Sequence, residues 1–241
     1  MSFLTFARFT VDKLCIIPAR GGSKRIPRKN IRLFHGKPMM AYAIECAKKS
    51  QLFDRIIVST DDVEIAKIAA DYGAEVPFFR SAKNSDDYTP TSDVLVEVLK
   101  ELEKSSALPS WICCLYPTTP LLLPADLCSA LELHQSTDSD VVLSAVAFDF
   151  PIQRAFELNL DNSIRLREPE AISKRSQDLE PTYHDAGAFY FFNTRRFLQS
   201  NSLWSGKVTA IPLPAERVQD IDNPSDWDLA EYKYQFLYTN D

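Results

Sequence analysis

Short, unbroken apolar runs alternate with stretches of helical spacing along most of the chain, and this rhythm limits the fold more than any other feature. KLCIIPA from Lys13, RIIVSTDD from Arg55, WICCLYP from Trp111, DVVLSAVAF from Asp140, AGAFYFF from Ala186 and VTAIPLP from Val208 read as strands. They are continuously apolar, which suits strands covered on both faces. Between them, PMMAYAIECAKKS places Met40, Ala43, Ile44 and Ala47 on one helical face. DVEIAKIAADYG reads as a helix, with Asp61 as its N-cap, Glu64 three residues on and Gly73 as its stop. PADLCSALELHQS has Pro124 at a favourable first position. In the last helix Asn223 is the cap, Pro224 comes first, and Trp227, Ala230, Tyr234 and Leu237 share a face. Such alternation predicts an α/β fold, a mostly parallel Rossmann-like sheet with helices on both faces. Residues 1–241 read as a single domain, long enough to bury roughly three quarters of its unfolded surface. From about Phe148 to Pro181 the rhythm fails and charge rises, so this segment reads as an inserted arm.

Sheets of this kind bind ligands at the carboxyl ends of their strands. There the chain puts its polar residues: after Ile17, at Ser59-Thr60-Asp61, and at Tyr116-Pro117-Thr118-Thr119. The first of these ends opens into ARGGSKRIPRKN. The whole chain carries a net charge of −6, yet residues 20 to 32 hold Arg20, Lys24, Arg25, Arg28, Lys29 and Arg32 with no acid among them. Gly21 and Gly22 let backbone N–H groups approach a ligand, and Pro27 stiffens the loop. Arginine forks and lysine point charges suit phosphate. A solvated basic loop is the plain alternative. Neither G-x-x-x-x-G-K-[ST] nor G-x-G-x-x-G occurs.

Other features exclude function classes. A pI near 5.2 argues against a nucleic-acid binder. Five cysteines without CxxC spacing read as buried free thiols in a reducing compartment. No run of 18 apolar residues exists, and MSFLTFARFTV lacks the layout of a signal peptide, reading instead as a ragged extension; the expected location is cytoplasmic. His35, His134 and His184 are too scattered for a zinc site.

Taken in order, IIPARGGSKRIPRKN, FDRIIVSTDDVEIAKIAADYGAEVPFFR, LYPTTPL, RSQD, HDAGAFYFF and QDIDNPSDWDLAE resemble the successive motifs of the CMP-sugar synthetases, the cytidylyltransferases that activate sialic acid and related nonulosonic acids. The resemblance covers roughly residues 13 to 238. It implies a nucleotidyltransferase fold of GT-A-like type, CTP and a nine-carbon keto-sugar acid as substrates, pyrophosphate as by-product, Mg²⁺ as cofactor, and a homodimer in which the 148–181 arm crosses between subunits. No nucleic acid or membrane partner is implied.

Residue by residue, the resemblance assigns Arg20 and Lys29 to catalysis on the phosphates. Ala19, Gly21, Gly22, Ser23, Asn30, Arg80, Thr89 and Thr91 join them around the nucleotide, with Arg80 near the base. Lys24, Arg25, Arg28 and Arg32 read as a solvated fringe. Asp220 and Asp222 of QDID are the expected metal ligands, with Asp61 and Asp62 as the rival pair. Tyr116, Thr118, Arg175, Gln177, His184, Asp185 and Tyr190 fall on the sugar side. Arg154, Arg165 and Arg167 are weaker candidates there. LYPTTPLL replaces the family's usual Leu-Gln-Pro-Thr-Ser-Pro-Leu-Arg, so Tyr116 stands for a glutamine and Leu122 for an arginine. A tyrosine ring is a more apolar surface than an amide. With HDAGAFYF, this makes the chain look closer to the pseudaminic acid cytidylyltransferases than to the sialic acid enzymes. CMP-sialic, CMP-legionaminic and CMP-Kdo synthetases are the alternatives, and a non-catalytic nucleotide sensor the remote one.

Overall fold

The computed structural model describes residues 12–105 and 107–238. The expectation for MSFLTFARFTV lies outside the described residues. In chain order, β1 (Lys13–Pro18) leads through the basic loop to a small ribbon of β2 (Leu33–Phe34) and β3 (Lys37–Pro38), then α1 (Met39–Ser50). β4 (Arg55–Ser59), α2 (Val63–Asp71), α3 (Thr91–Glu103), β5 (Trp111–Leu115), α4 (Pro124–Thr137) and β6 (Val141–Ala147) follow. The arm contains β7 (Phe156–Leu158) and β8 (Ile164–Leu166). The chain ends with β9 (Tyr183–Asn193), α5 (Thr194–Ser200), β10 (Val208–Pro212) and α6 (Pro224–Tyr238).

Six strands form one sheet in the order β10-β6-β9-β5-β1-β4. All neighbours are parallel except β9, which runs antiparallel to both β5 and β6. The expected mostly parallel sheet is therefore present. Its two covered faces are visible within β1: Cys15 and Ile17 join one core with α1, α2 and α4, while Leu14 and Ile16 join the other with α3 and α5. A third cluster binds the basic loop to the last helix, because Ile26, Phe34, Met39, Ile221, Trp227 and Ala230 pack together. All five cysteines are free. Burial pushes the Cys46 thiol up to about 12. No described helix is long and apolar enough to cross a membrane.

Two expectations need correction. Asp62, not Asp61, caps α2: its Oδ1 accepts from the backbone N–H groups of Glu64 (2.9 Å) and Ile65 (3.0 Å). A helix absent from the sequence reading, α3, follows Pro90. In α3, Val94, Leu95, Val98, Leu99 and Leu102 are buried at helical spacing.

The arm projects from paired strands. At its base the Phe148 N–H donates to the Thr182 carbonyl at 3.0 Å, and Ala147 still pairs with Tyr183. The β7–β8 hairpin belongs to no larger sheet. The Arg165 guanidinium pairs with Glu157 across it, and Arg154 donates to the Lys174 carbonyl. Arg167 meets Ala155 through its backbone N–H at 3.1 Å.

Candidate active site

The carboxyl ends of β1 and β5 open onto a cleft of about 460 Å³, with Arg80, held on Ser59 at the end of β4, in its wall. Its basic side is the loop after β1, which tertiary contacts hold in place. The Gly21 N–H donates to Asp61 Oδ1 at 2.9 Å. A Cβ on Gly21 would lie 2.7 Å from Asp62 Oδ2, so only glycine fits there, whereas a Cβ on Gly22 would meet nothing within 4 Å. Arg28, in the left-handed region at φ 57°, turns back to pair with Asp62 and, at 2.6 Å, with Glu64. Hydrogen bonding from Arg28 outweighs desolvation and holds the Asp62 carboxyl below its usual range. Asp61 and Asp62 are thus the seat of the basic loop, which disfavours them as the rival metal pair. Asn30 is buried; its amide donates to the Arg20 carbonyl at 2.9 Å, and its own carbonyl accepts from Met40 N–H at 2.8 Å.

The expected fringe is engaged throughout. Besides Arg28, Lys24 pairs with Asp87 at 2.5 Å and Arg25 with Asp222 at 3.1 Å. Arg32 lies over the Trp227 ring at 4.5 Å. Arg20 pairs with Asp87 at 2.8 Å. The ammonium of Lys29 donates to the Ile221 carbonyl and lies 3.6 Å from Asp222 Oδ1. Desolvation lowers its pKa, against the opposing pull of Asp222 and Asp220.

Across the cleft, Arg80 is buried. Its Nε donates to Ser59 Oγ at 3.1 Å and its Nη2 to the Ser59 carbonyl, and desolvation lowers its pKa. Thr91 Oγ1 and Tyr116 OH share a hydrogen bond of 2.7 Å. Burial, chiefly, pushes the Tyr116 phenol up to about 12. Thr89 is a turn residue whose hydroxyl donates to Asp86 Oδ1 at 2.7 Å. Ser23 and Thr118 also face the cleft, while Ala19 is buried beneath it. Sequence reasoning missed Asp86, Asp87 and Tyr88 on the opposite rim. The acidic pair in NSDDY, facing a loop without acids, was the available signal.

Asp222 opens onto this cleft and Asp220 onto an adjoining recess of about 640 Å³, with Lys29 between them at the Ile221 carbonyl. The recess walls partly desolvate Asp220; this, and then the like charge of Asp222, raise its pKa. Among the described residues no group of three His, Cys, Asp or Glu could hold a metal ion. Two carboxylates are enough for Mg²⁺ when substrate phosphates and water complete its octahedron. Asp220 and Asp222, with Ile221 between them, repel each other, and a divalent cation would relieve that repulsion.

His184 and Asp185 line the same recess. Asp185 accepts from the Tyr190 hydroxyl and, at 2.8 Å, from the Gly187 N–H, and the Tyr190 ring meets Tyr116 edge-on at 6.0 Å. Tyr190 therefore sits behind Tyr116 and links the two hollows. Arg175 and Gln177 are not brought to the cleft within one chain. Both are exposed on the arm, and Arg175 pairs with Asp178 at 2.7 Å.

Comparison with known proteins adds to this geometry. Residues 14–202 match the family model described as cytidylyltransferase. A pseudaminic acid cytidylyltransferase of Campylobacter jejuni is 43% identical over 225 residues, covering 93% of this chain and 97% of that protein. A CMP-N,N'-diacetyllegionaminic acid synthase of Legionella pneumophila is 34% identical, covering 90% and 94%. Among solved structures, a CMP:2-keto-3-deoxy-manno-octonic acid synthetase complexed with CTP superposes with a TM-score of 0.67 at 18% identity, covering 95% of this chain and 99% of that one; at this identity it speaks for the fold.

Proposed function

This chain belongs to the cytidylyltransferase family, and on that premise we propose that it transfers CMP from CTP to a nonulosonic acid, pseudaminic acid in particular. The observation that carries the reaction class is the cleft at the carboxyl edge of the sheet, where Arg20, Lys24, Arg25 and Lys29 converge from one loop. The sugar rests on the 43% identity to the Campylobacter enzyme and on Tyr116 at the cleft wall.

In this reading the anomeric hydroxyl of the sugar acid attacks the α-phosphorus of CTP. A new P–O bond forms, the bond to the β-phosphate breaks, pyrophosphate leaves, and the hydroxyl proton is released. Arg20 and Lys29 bind the phosphates and stabilise the charge that builds on them. Ala19, Gly21, Gly22 and Ser23 shape the loop around those phosphates, and Asn30 fixes its exit. Arg80, Thr89 and Thr91 form the nucleoside wall. Asp220 and Asp222 would hold Mg²⁺, which would polarise phosphoryl oxygens and offset charge on the leaving group. Tyr116 and Thr118 face the acceptor from the cleft and His184 and Asp185 from the recess, while Tyr190 supports Tyr116 and Asp185 from behind. CTP as substrate and five free thiols fit a cytoplasmic enzyme.

The test of the substrate is a competition between pseudaminic, legionaminic and sialic acids at equal, subsaturating concentrations with limiting CTP. CMP-pseudaminic acid is expected to lead by about 10-fold, the scale of discrimination by an apolar contact. Dominance of CMP-legionaminic or CMP-sialic acid among the products refutes the sugar assignment and leaves the reaction class intact.

We also propose that the 148–181 arm is completed by a second copy of the chain, so that Arg175 and Gln177 reach the partner's site. Phe150 is 83% exposed, Leu160 fully so, and the arm's two-stranded hairpin joins no larger sheet. Light scattering at micromolar concentration should give twice the mass of one chain. A stable, active monomer would rule the arrangement out.

A further inference from the structure

One carboxylate from the far rim of the cleft holds two cations of the basic loop. Asp87 Oδ1 lies 2.8 Å from Arg20 Nη2, and Asp87 Oδ2 lies 2.5 Å from Lys24 Nζ. Arg20 Nη1 also donates to the Asp86 carbonyl at 2.5 Å. These contacts come from the segment between the short 3₁₀ turn Ala82–Asn84 and α3, which is built to present them. The Asp86 side chain accepts from the backbone N–H groups of Tyr88 (2.9 Å) and Thr89 (2.7 Å) and from the Thr89 hydroxyl (2.7 Å). This is an Asx-type turn, and it leaves Asp87 directed at the opposite wall. The segment's start is tied to α3 as well, since Glu97 accepts from the Ser81 N–H at 2.6 Å, from the Ser81 hydroxyl at 2.7 Å and from the Asn84 amide. Two carboxylate oxygens on an arginine fork and a lysine make the same contacts that two phosphate oxygens would.

We propose that Asp87 is a built-in competitor of the terminal phosphates of the nucleotide for Arg20 and Lys24, one that loosens the grip on polyphosphate and so promotes release of pyrophosphate. The proposal rests on the reading of this cleft as a CTP site. A triphosphate brings several negative charges to the two cations and displaces the single carboxylate. A nucleoside monophosphate, held by its base and α-phosphate, leaves the Asp87 pairs in place. The cost of displacing Asp87 therefore falls on ligands that carry terminal phosphates and not on the monophosphate. After transfer, Asp87 can return to both cations as pyrophosphate departs, which favours release of that product.

Asp87→Asn removes the charge and keeps the shape. Calorimetric titrations of the wild type and the variant with CTP, pyrophosphate and CMP, each in the presence of Mg²⁺, provide the test. CTP and pyrophosphate are expected to bind about three- to tenfold more tightly to the variant, the scale of losing a competing exposed ion pair. CMP binding should be unchanged, and the gain should shrink at high salt. Asp87→Ala should move CTP and pyrophosphate in the same direction, and both variants should melt with the wild type. Unchanged or weaker binding of CTP and pyrophosphate in either folded variant, or an equal gain for CMP, overturns the role of Asp87. A wild type that binds no CTP at all overturns the reading of the cleft itself, and the proposal with it.

Discussion

A chain carrying both Asp220→Asn and Asp222→Asn is expected to lose about 10³-fold or more in turnover, because a metal held at developing phosphoryl charge is worth several kcal/mol. Asparagine keeps the shape of each side chain and removes the negative charge. The fold should survive. The cap of the last helix does not involve either side chain, since Asp226 accepts from the backbone N–H groups of Asp222 and Asn223, both at 2.9 Å. Ile221 between them stays in the cluster with Trp227 and Phe34. The ion pairs that Asp222 makes with Arg25 and Lys29 lie at a partly exposed position, where such contacts contribute about 1 kcal/mol or less. Pyrophosphate release, a Mg²⁺ binding isotherm and a thermal melt measured together check the expectation. Full activity in the double variant, or turnover indifferent to EDTA, would show that the metal is bound elsewhere or not used.

Replacing Arg20 with alanine should cost about 10²–10³ in kcat/KM for CTP, the usual loss when one preorganised contact to developing charge is removed. The loss follows from position. Arg20 leaves the carboxyl end of β1, its carbonyl is held by the Asn30 amide at 2.9 Å, and its guanidinium is anchored on Asp87 and the Asp86 carbonyl. Arg20→Lys should recover only part of the activity, because an ammonium cannot form a planar fork on two phosphate oxygens. Steady-state kinetics with CTP varied separates the outcomes. A variant with unchanged kcat/KM removes Arg20 from the site.

Much of the fold could be read from the chain, and the reasons are physical. The six principal strands are apolar on both faces, so their runs stand out. Pro124 and Asn223–Pro224 mark helix starts by local chemistry that needs no tertiary contact. Asp61 and Asp62 show where such reading stops. Either can cap a helix in isolation, and the choice falls to Asp62 because Asp61 is used by the Gly21 N–H of a loop forty residues away. The polar, proline-bearing stretch DDYTPTSD hid α3, although the apolar spacing from Val94 to Leu102 was there to be seen. The direction of β9 was not legible, since nothing in AGAFYFF distinguishes parallel from antiparallel pairing. Nor was the anchoring of the basic loop, which depends on pairs such as Arg28 with Asp62 that bring distant segments together. The cations of the site could be listed from the sequence, and the acidic pair in NSDDY stood out there too; that Asp87 faces Arg20 and Lys24 could be found only in three dimensions.

The arm leaves and rejoins the sheet between two strands that remain hydrogen-bonded to each other at its base, Ala147 to Tyr183 and Phe148 to Thr182. The segment is therefore a detachable cassette. Changing its length costs little, because closure entropy grows only slowly with loop size and the ends are already joined. The residues between them are free to diverge without disturbing the register of the central strands. In the proposed site the acceptor would meet both the arm, through Arg175 and Gln177, and the sheet, through Tyr116 and His184, whereas the nucleotide meets the sheet alone. A chain built on this plan can lengthen or shorten that excursion while the strands that frame the cleft keep their pairing.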